Sequence, residues 1–315
     1  MSVAAIGAKR RDTAFRDALL EGLFKTPKAI AAKFFYDEAG SALFERITVL
    51  PEYYPTRTEL SILNANIGEI AALIGPDAEL VEFGAGSLRK VRILLDALKT
   101  PRAYLPIDIS GDYLMDVAAV LRDDYPGLRV RPVIADFTRA VALGPSTQGT
   151  RAGFFPGSTI GNLSRAEAIG FLRQARQTLN GGSLLIGVDL VKDPAILHAA
   201  YNDAEGVTEA FNKNLLLRAN READADFDPD RFAHYACYNP LRQRIEMYLV
   251  SLVAQRVCVA GEIASFAEGE AIHTEDSHKY TLDGFRALSA EAGYLQRHVW
   301  TDPARLFSVQ WLEAA

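Results

Sequence analysis

The amino-acid sequence predicts an α/β fold with a mostly parallel sheet, accompanied by a second lobe of different pattern. Between residues 79 and 192, short apolar strand patterns alternate with helical patterns, which is typical of a parallel sheet covered by helices. Between residues 234 and 261, polar and apolar residues alternate instead, which indicates an antiparallel hairpin or meander. The chain has 315 residues, more than one typical domain, so two lobes are expected.

The N-terminal part predicts helices interrupted by one loop. Apolar residues recur near helical spacing between Arg11 and Lys25, and a second amphipathic pattern, DEAGSALFERI, begins at Asp37. The run LPEYYPTR at residues 50–57 places two prolines around paired tyrosines, which indicates a loop. A further helix is predicted from Thr56 to about Leu73.

The alternating region and the C-terminal part together predict one sheet. Its strands are ELVEFGAG, AYLPIDIS, LRVRPVIAD, GFFPGSTI and SLLIGVDL, with helices ending near Leu98, running through Val120 and starting at Ser164. After a helix near Leu282 to Ala292, the segments LQRHVWTD and LFSVQWLE are predicted to close the sheet as a hairpin. A sheet that finishes on an antiparallel final strand is typical of methyltransferases.

Composition excludes several classes of function. The net charge of −6, with Lys and Arg scattered along the chain, argues against a nucleic-acid partner. The N-terminal residues carry charges where a signal peptide needs an apolar stretch, and no apolar run of 18 residues occurs, so we expect a cytoplasmic protein without a membrane partner. A monomer is also expected, although no sequence pattern indicates the oligomeric state. Cys237 and Cys258 are interpreted as reduced core thiols, and the five histidines lie in no metal-binding motif, so no metal is expected.

Three successive strand ends predict a nucleoside-binding site. Gly84 and Gly86 in EFGAGS lie between an apolar strand and a helix, where the backbone can approach a ligand closely. Asp108 ends the next strand, at the sequence separation from the glycine turn that is typical of a carboxylate that binds ribose hydroxyls. The alternative interpretation is an aspartate that caps a helix or stabilises a turn. Asp136 and Phe137 end the third strand and suit the amine and the ring face of an adenine.

Two further observations narrow the nucleoside to a cofactor such as S-adenosylmethionine. Arg89 stands where the dinucleotide fingerprint requires a third glycine, which disfavours NAD and an oxidoreductase. No phosphate-binding GxxxxGK[ST] loop is present, which disfavours a nucleoside triphosphate.

The sequence resembles the histidine Nα-methyltransferases of ergothioneine biosynthesis. The resemblance runs in order from about Pro27 to Tyr280, and the C-terminal hairpin fits it more loosely. The matching stretches are KFFYDEAGSALFERIT, LPEYYPTRTE, EFGAGSLRK, GSTIGN, DLVKD, YNDAEGVTEAFNKN, RIEMYL and HTEDSHKYT.

This resemblance implies a fold, an activity and a set of site residues. The implied fold is a Rossmann-like class I methyltransferase core, with a mostly parallel seven-stranded sheet and an antiparallel final strand, plus a discontinuous α+β substrate-binding lobe. The core is expected to comprise residues 63–192 and 281–315, and the lobe residues 1–62 and 193–280. The implied reaction moves three methyl groups from S-adenosylmethionine to the α-amino group of histidine, which gives trimethylhistidine (hercynine). The implied cofactor contacts are Gly84, Gly86, Lys90, Asp108, Asp136 and Phe137, and the implied substrate contacts are Tyr36, Tyr53, Asn162, Tyr201, Met247, Glu275 and Ser277.

The chemistry of these side chains suits an amino acid with an imidazole ring. Glu275 and Ser277 alternate on a predicted strand, so they share a face and can address the two nitrogens of one imidazole. The Asn162 amide, aided by the Tyr201 hydroxyl, can hold the substrate carboxylate. The alternatives are a relative that acts on tryptophan or another aromatic amino acid and, in a different class, a non-catalytic nucleoside-binding regulator.

Overall fold

The computed structural model of the protein describes residues 13–86, 88–139, 141–144 and 150–315. These residues divide into two compact units. The smaller unit contains the described residues up to Ile47, together with Tyr201–Cys237 and Glu246–Asp276. The larger unit contains Thr48–Ala200, Tyr238–Ile245 and Ser277–Ala315. Within the described part of the chain, no helix is both long enough and apolar enough to cross a membrane.

Helices and strands are numbered in chain order. The α-helices are α1 (Thr13–Phe24), α2 (Glu38–Ile47), α3 (Tyr54–Ile74), α4 (Leu88–Ala97), α5 (Gly111–Asp124), α6 (Arg165–Thr178), α7 (Pro194–Tyr201), α8 (Val207–Glu222) and α9 (Leu282–Glu291). The strands are β1 (Lys28–Ala29), β2 (Glu79–Phe83), β3 (Ala103–Asp108), β4 (Arg129–Val130), β5 (Val133–Ile134), β6 (Arg151–Phe155), β7 (Ser183–Asp189), β8 (Phe232–Asn239), β9 (Arg244–Ser251), β10 (Gln255–Val259), β11 (Glu262–Phe266), β12 (Ala271–His278), β13 (Tyr294–Thr301) and β14 (Phe307–Ala314).

The larger unit is built on the predicted mostly parallel sheet. Its strand order is β13-β14-β7-β6-β2-β3-β4, and β5 also pairs with β3. The strands from β7 to β4 and β5 are parallel, whereas β14 is antiparallel to β7 and to β13. The α/β fold and its closing hairpin are thereby confirmed. The sheet has eight described strands instead of the expected seven, because Pro132 has no N–H for the ladder and divides the predicted strand LRVRPVIAD into β4 and β5.

Both faces of this sheet are covered by helices. On one face, buried residues of α3, α4 and α5 pack with Leu80, Tyr104 and Trp311 of the sheet. On the other face, α6 and α9 pack with residues such as Val81 and Leu105. Neighbouring residues of β2 and β3 thus face opposite layers, as the two-residue period of a strand requires.

The start of α3 differs from its prediction. The helix begins at Tyr54, two residues before the predicted Thr56, so only part of LPEYYPTR is a loop. Pro55 is accommodated because residues in the first helical turn need no intrahelical partner for their N–H. The predicted helix start at Ser164 is confirmed, since its side chain caps α6 in a capping box with Glu167.

The smaller unit combines helices with a four-stranded sheet and a two-stranded hairpin. Its four-stranded sheet has the order β1-β12-β9-β8, and β10 pairs with β11 in an antiparallel hairpin. Phe35 stacks on Phe211 of α8 with ring centroids 4.4 Å apart. Arg218 of α8 lies over the Phe15 ring and donates a hydrogen bond to the Phe34 carbonyl (2.8 Å). These contacts join the N-terminal segment to α8 although the two lie far apart in sequence.

The boundaries of the two units differ from the boundaries that the sequence predicts. The segment 48–62 was expected in the substrate lobe, but it leads into α3, whose buried face packs on the larger sheet. Residues 238–245, also expected in the lobe, group with the larger unit. There, the Tyr238 N–H donates to His198 Nε2 (3.0 Å), and the Gln243 carbonyl accepts from the Lys279 N–H (2.7 Å). Hydrogen bonds of this kind, between segments far apart in the chain, are not visible in sequence patterns.

Candidate functional site

The glycine turn after β2 lies beneath an aromatic ring. Gly84 has φ +73°, a left-handed conformation that favours glycine, and its N–H donates to the Ile107 carbonyl of β3 (2.9 Å). A Cβ atom at Gly84 would lie 3.3 Å from Cε1 of Phe137. The Phe137 ring is itself fixed by edge contacts with Phe155 and Phe171, at centroid distances of 5.5 and 5.9 Å. A side chain at position 84 would therefore disturb both the turn and the ring.

Asp108 lies at the same edge of the sheet, at the end of β3. Asp108 pairs with Ile134 of β5, and its carbonyl accepts from the Ala135 N–H (3.0 Å), so the ends of β3 and β5 are adjacent. The Asp108 carboxylate accepts a hydrogen bond from the Ser110 N–H (2.8 Å), and burial raises its pKa above the ordinary value. The turn aspartate considered as an alternative is thus present, but a carboxylate with two oxygens can accept further hydrogen bonds.

Asp136 has a similar local role. Its Oδ1 accepts hydrogen bonds from both the N–H (2.9 Å) and the hydroxyl (2.5 Å) of Thr138. These bonds fix the turn that follows β5 and contains Phe137. The structure therefore brings Gly84, Asp108, Asp136 and Phe137 to one edge of the larger sheet.

Lys90 belongs to a buried ion pair that the sequence did not predict. Its Nζ lies 2.5 Å from Glu59 Oε2, and the Glu59 side chain is 1% exposed. The Gly157 N–H donates to the same carboxylate (2.9 Å). The ion pair links α3, the start of α4 and the turn after β6. A charged residue at a buried helix position was the only available signal, and it did not identify the partner.

Asn162 and Ser277 lie on segments that contact each other in the larger unit. Asn162 ends a short 3-10 turn, Thr159–Asn162, and Ser277 is near the end of β12. A Cβ at Gly161 would lie 2.8 Å from the His278 carbonyl oxygen, so the two backbones touch there. Gly161, the second glycine of GSTIGN, thus permits the close approach of the two segments that carry these predicted substrate residues.

A buried polar cluster lies beside these two segments. It is centred on Asp189 at the end of β7, whose carboxylate is paired with Lys192 (2.6 Å) and Lys279 (2.9 Å) and accepts from the Tyr54 hydroxyl (2.7 Å). The Asp189 N–H donates to Ser158 Oγ (2.9 Å), at the entry to the turn that carries Asn162. None of the three side chains that contact the carboxylate was given a role from sequence. The motif DLVKD, in which charges directly follow an apolar strand, was a usable signal.

The smaller unit holds the other predicted substrate residues. Met247 on β9 is 1% exposed, and Glu275 on the neighbouring strand β12 is half-buried. Tyr36 is 38% exposed and meets Phe44 and Phe211 edge-on. Tyr53, by contrast, directly precedes α3 and belongs to the larger unit.

The backbone of Tyr201 is held by a neutral histidine. Its carbonyl lies 2.9 Å from His234 Nε2, and the Asn212 amide nitrogen lies 2.9 Å from His234 Nδ1. An amide NH₂ can only donate, so Nδ1 accepts and Nε2 carries the hydrogen. Burial lowers the pKa of His234, which favours the same neutral form.

The similarity to known proteins decides the family. The family described as histidine-specific methyltransferases, SAM-dependent, matches residues 15–314. The chain belongs to this family. It is therefore a methyltransferase that uses S-adenosylmethionine.

Individual relatives agree with this assignment. This methyltransferase is 46% identical over 303 residues to a histidine N-alpha-methyltransferase of Mycolicibacterium smegmatis, covering 94% of each chain. It is 41% identical to the histidine N-alpha-methyltransferase of Mycobacterium tuberculosis, covering 96% of each chain. It is also 30% identical to ergothioneine biosynthesis protein 1 of Neurospora crassa, where 87% of this chain matches 32% of the longer protein.

The strand-end residues of this methyltransferase fit its cofactor. The glycine at position 84 leaves room for the Phe137 ring, whose face suits a purine. Two carboxylates at adjacent strand ends suit ribose hydroxyls and an exocyclic amine. No cluster of His, Cys, Asp and Glu side chains able to hold a metal is found among the residues that the structure describes.

The raised pKa of Glu82 is expected to make the free energy of unfolding of this methyltransferase depend on pH. Burial raises the pKa of Glu82 to about 8, although a hydrogen bond from Tyr104 and the charge of Lys90 oppose the shift. A raised carboxyl pKa contributes stability below the unfolded pKa of 4.5 that is lost as pH rises through about 8. The free energy of unfolding of the wild type should therefore fall by up to about 1.4 kcal/mol per pH unit in this interval, and Glu82→Gln should lack this component.

Urea unfolding at pH 5.5, 7 and 8.5 measures the difference. The matched control is Asp123→Asn, which changes an exposed carboxyl of α5 in the same unit. If the free energy of unfolding changes equally with pH in the wild type and in Glu82→Gln, Glu82 is ionised over the whole range from pH 5.5 to 8.5.

Proposed function

We propose that this methyltransferase transfers methyl groups from S-adenosylmethionine to the α-amino group of L-histidine. Three rounds give Nα,Nα,Nα-trimethylhistidine, or hercynine, in the first step of ergothioneine biosynthesis. The observation that carries the proposal is the nearly full-length likeness to two histidine N-alpha-methyltransferases. The name of the fungal relative supports the pathway.

The residues at the strand ends would hold the cofactor. Asp108 would accept hydrogen bonds from the ribose hydroxyls, and Asp136 would accept one from the adenine amine. The Phe137 ring, fixed by its aromatic neighbours, would pack on the adenine. When bound, S-adenosylmethionine supplies an electrophilic methyl group.

Positioning of the amine is the main task of the protein, because an in-line displacement needs the nitrogen lone pair aligned with the methyl group. Asn162 is proposed to bind the substrate carboxylate through its amide, with help from the Tyr201 hydroxyl. The aromatic rings of Tyr36 and Tyr53 are candidates to face the growing ammonium, which is worth about 0.5 to 2 kcal/mol per ring. Such a contact favours the fully methylated product.

Recognition of the imidazole is proposed for β12 and β9. The Glu275 carboxylate would accept from one ring N–H, and the Ser277 hydroxyl would address the second nitrogen. Met247, buried on β9, would fill the space that an indole needs. This combination of size and charge separates histidine from tryptophan.

The proposed setting is a cytoplasmic monomer without nucleic-acid or membrane partners. The net charge of −6 supports the absence of a phosphate-backbone partner. The two thiols Cys237 and Cys258 are both free, which is compatible with a reducing compartment.

The product of the purified enzyme tests the proposal. With histidine and excess S-adenosylmethionine, mass spectrometry should detect the trimethylated betaine as the end product, because the aromatic rings tolerate the cation. S-adenosylhomocysteine in place of the donor is the control. A reaction that stops at the monomethyl product, or one that prefers tryptophan, would contradict the proposal. Cofactor binding without turnover of any amino acid would favour a regulator instead.

A further inference from the structure

We propose that Glu59 is a positioning residue that holds the Lys90 ammonium and the turn carrying Asn162 in one arrangement, and thereby aligns a cofactor contact with a substrate contact. The proposal rests on the proposed function, because it takes Lys90 as a contact of S-adenosylmethionine and Asn162 as a contact of histidine. All three residues belong to the larger unit.

The Glu59 carboxylate lies where four segments of the larger unit meet. It projects from α3 and is 1% exposed. Lys90 Nζ of α4 lies 2.5 Å from Oε2, and the N–H of Gly157, after β6, donates to both carboxylate oxygens (2.9 Å each). A Cβ at Gly187 of β7 would lie 2.0 Å from Oε1, so the glycine there makes room for the carboxylate. One buried acceptor group thus serves two partners of different kinds, an ammonium and a backbone N–H.

The Lys90 ammonium lies beside the turn that follows β6. Its Nζ is 3.4 Å from the place of a Cβ at Gly157, and Gly157 is itself exposed. An ammonium group has three donors, so the bond to Glu59 leaves Lys90 able to bind a further acceptor. The carboxylate of S-adenosylmethionine is an acceptor of the appropriate charge. Glu59 therefore fixes the place from which Lys90 reaches the cofactor.

The turn itself needs support from its surroundings. Gly157 has φ +78° and Ser158 has φ +56°, and successive left-handed residues persist only where neighbouring groups fix them. The Glu59 carboxylate fixes the first through its N–H, and a backbone N–H of β7 fixes the second by donating to Ser158 Oγ (2.9 Å). The Ser158 carbonyl then accepts from the Gly161 N–H (2.8 Å), one residue before Asn162. Loss of the acceptor at position 59 therefore loosens the start of the turn that carries Asn162.

Loss of the Glu59 charge should also displace Lys90. A buried ion pair adds little stability over apolar residues of similar volume, but a buried cation without its partner is strongly unfavourable. Lys90 is 9% exposed. Burial raises the pKa of Glu82 and the charge of Lys90 opposes that shift, so these two groups lie within electrostatic reach of each other. Without Glu59, the ammonium is expected to turn toward Glu82 or water and away from the turn.

Two substitutions of Glu59 separate its two partners. Glutamine keeps the size of the side chain and one carbonyl oxygen, so it can accept from the Gly157 N–H. Its NH₂ group only donates, so it cannot also bind the ammonium of Lys90. Methionine has a similar length but provides no strong acceptor for either partner. Glu59→Gln therefore removes the support of Lys90 alone, whereas Glu59→Met removes the support of both.

The test is calorimetric titration of each variant, alone and combined with Lys90→Met, as a double-mutant cycle. Glu59→Gln should weaken S-adenosylmethionine binding roughly five- to tenfold, and within about twofold in the Lys90→Met background, because the effect acts through Lys90. Histidine is titrated into the complex with S-adenosylhomocysteine, in which no methyl transfer occurs. Its affinity should stay within about twofold for Glu59→Gln and fall at least about threefold for Glu59→Met in both backgrounds.

Glu79→Gln is the matched control. Glu79 Oε2 lies 3.0 Å from Arg151 Nε, and both residues are buried. They lie at the amino ends of β2 and β6, the opposite edge of the same sheet. This variant also breaks a buried ion pair of the larger unit, so it should lower the melting temperature but leave both affinities within about twofold of wild type.

Three results would overturn the proposal. They are a Glu59→Gln effect of full size in the Lys90→Met background, equal losses of histidine affinity in Glu59→Gln and Glu59→Met, and an equal loss of cofactor affinity in Glu79→Gln. If Glu59→Met alone does not fold, its combination with Lys90→Met, which leaves no unpaired charge, supplies the histidine comparison. Failure of the wild-type enzyme to methylate histidine would refute the proposed function instead, while the cofactor titrations would still test the link between Glu59 and Lys90.

Discussion

Replacement of Asp108 by alanine is expected to weaken binding of S-adenosylmethionine by roughly ten- to a hundredfold. The carboxylate is half-buried at the end of β3, and its local hydrogen bonds, which come from Ile109 and Ser110, do not use all of the lone pairs of its two oxygens. Loss of the partner leaves ribose hydroxyls unsatisfied, which costs about 1 to 3 kcal/mol. Calorimetric titration with the cofactor measures the change.

Two comparisons make this result specific. Asp108→Asn keeps one oxygen acceptor at the same place and should have a smaller effect. Asp123→Ala removes an exposed aspartate of the same unit and should bind as the wild type does. An unchanged affinity for Asp108→Ala would remove this residue from the cofactor site.

A large change in substrate preference is expected when Glu275 and Met247 are replaced together. Glu275→Ala alone should lower kcat/KM for histidine by about a hundredfold or more, because a site built to bind a ring N–H discriminates strongly through that bond. Adding Met247→Val opens volume on the neighbouring strand, so the double variant should shift at least about tenfold toward tryptophan relative to histidine.

Competition between the two amino acids, with mass detection of both products, measures this ratio directly. Met247→Leu, which nearly conserves volume, is the control and should keep the preference for histidine. Because Met247 is buried, melting temperatures of all variants must accompany the kinetics. A ratio that does not move toward tryptophan would mean that other residues determine specificity.

Local patterns in the sequence were sufficient for much of the fold. The alternation of strands and helices, the turn at Gly84 and the closing hairpin are each encoded by neighbouring residues, and each was predicted. The same reasoning located three strand ends at one edge, because parallel strands place their carboxyl ends together. The interruption at Pro132 was also visible in the sequence, but it was interpreted as part of one strand.

The buried polar contacts could not be predicted in the same way. Glu59 and Lys90 lie on different helices, and Tyr54 lies 135 positions before the carboxylate of Asp189. Sequence spacing indicates which residues share a face of one element, but it does not indicate which charged groups from separate elements meet in the interior.

The place of β14 in the sheet constrains how the chain can assemble during synthesis. Residues 307–312 pair with residues 184–189, so β7 leaves the ribosome long before its neighbour on that side exists. Until then, β7 is an apolar strand with an unpaired edge, which is a template for association with other chains. The strands that lead to Gly84, Asp108 and Asp136 have already been synthesised by that stage, but the sheet is complete only after the hairpin docks. A nascent chain of this protein is therefore expected to depend on chaperones that shield strand edges between the synthesis of β7 and that of β14.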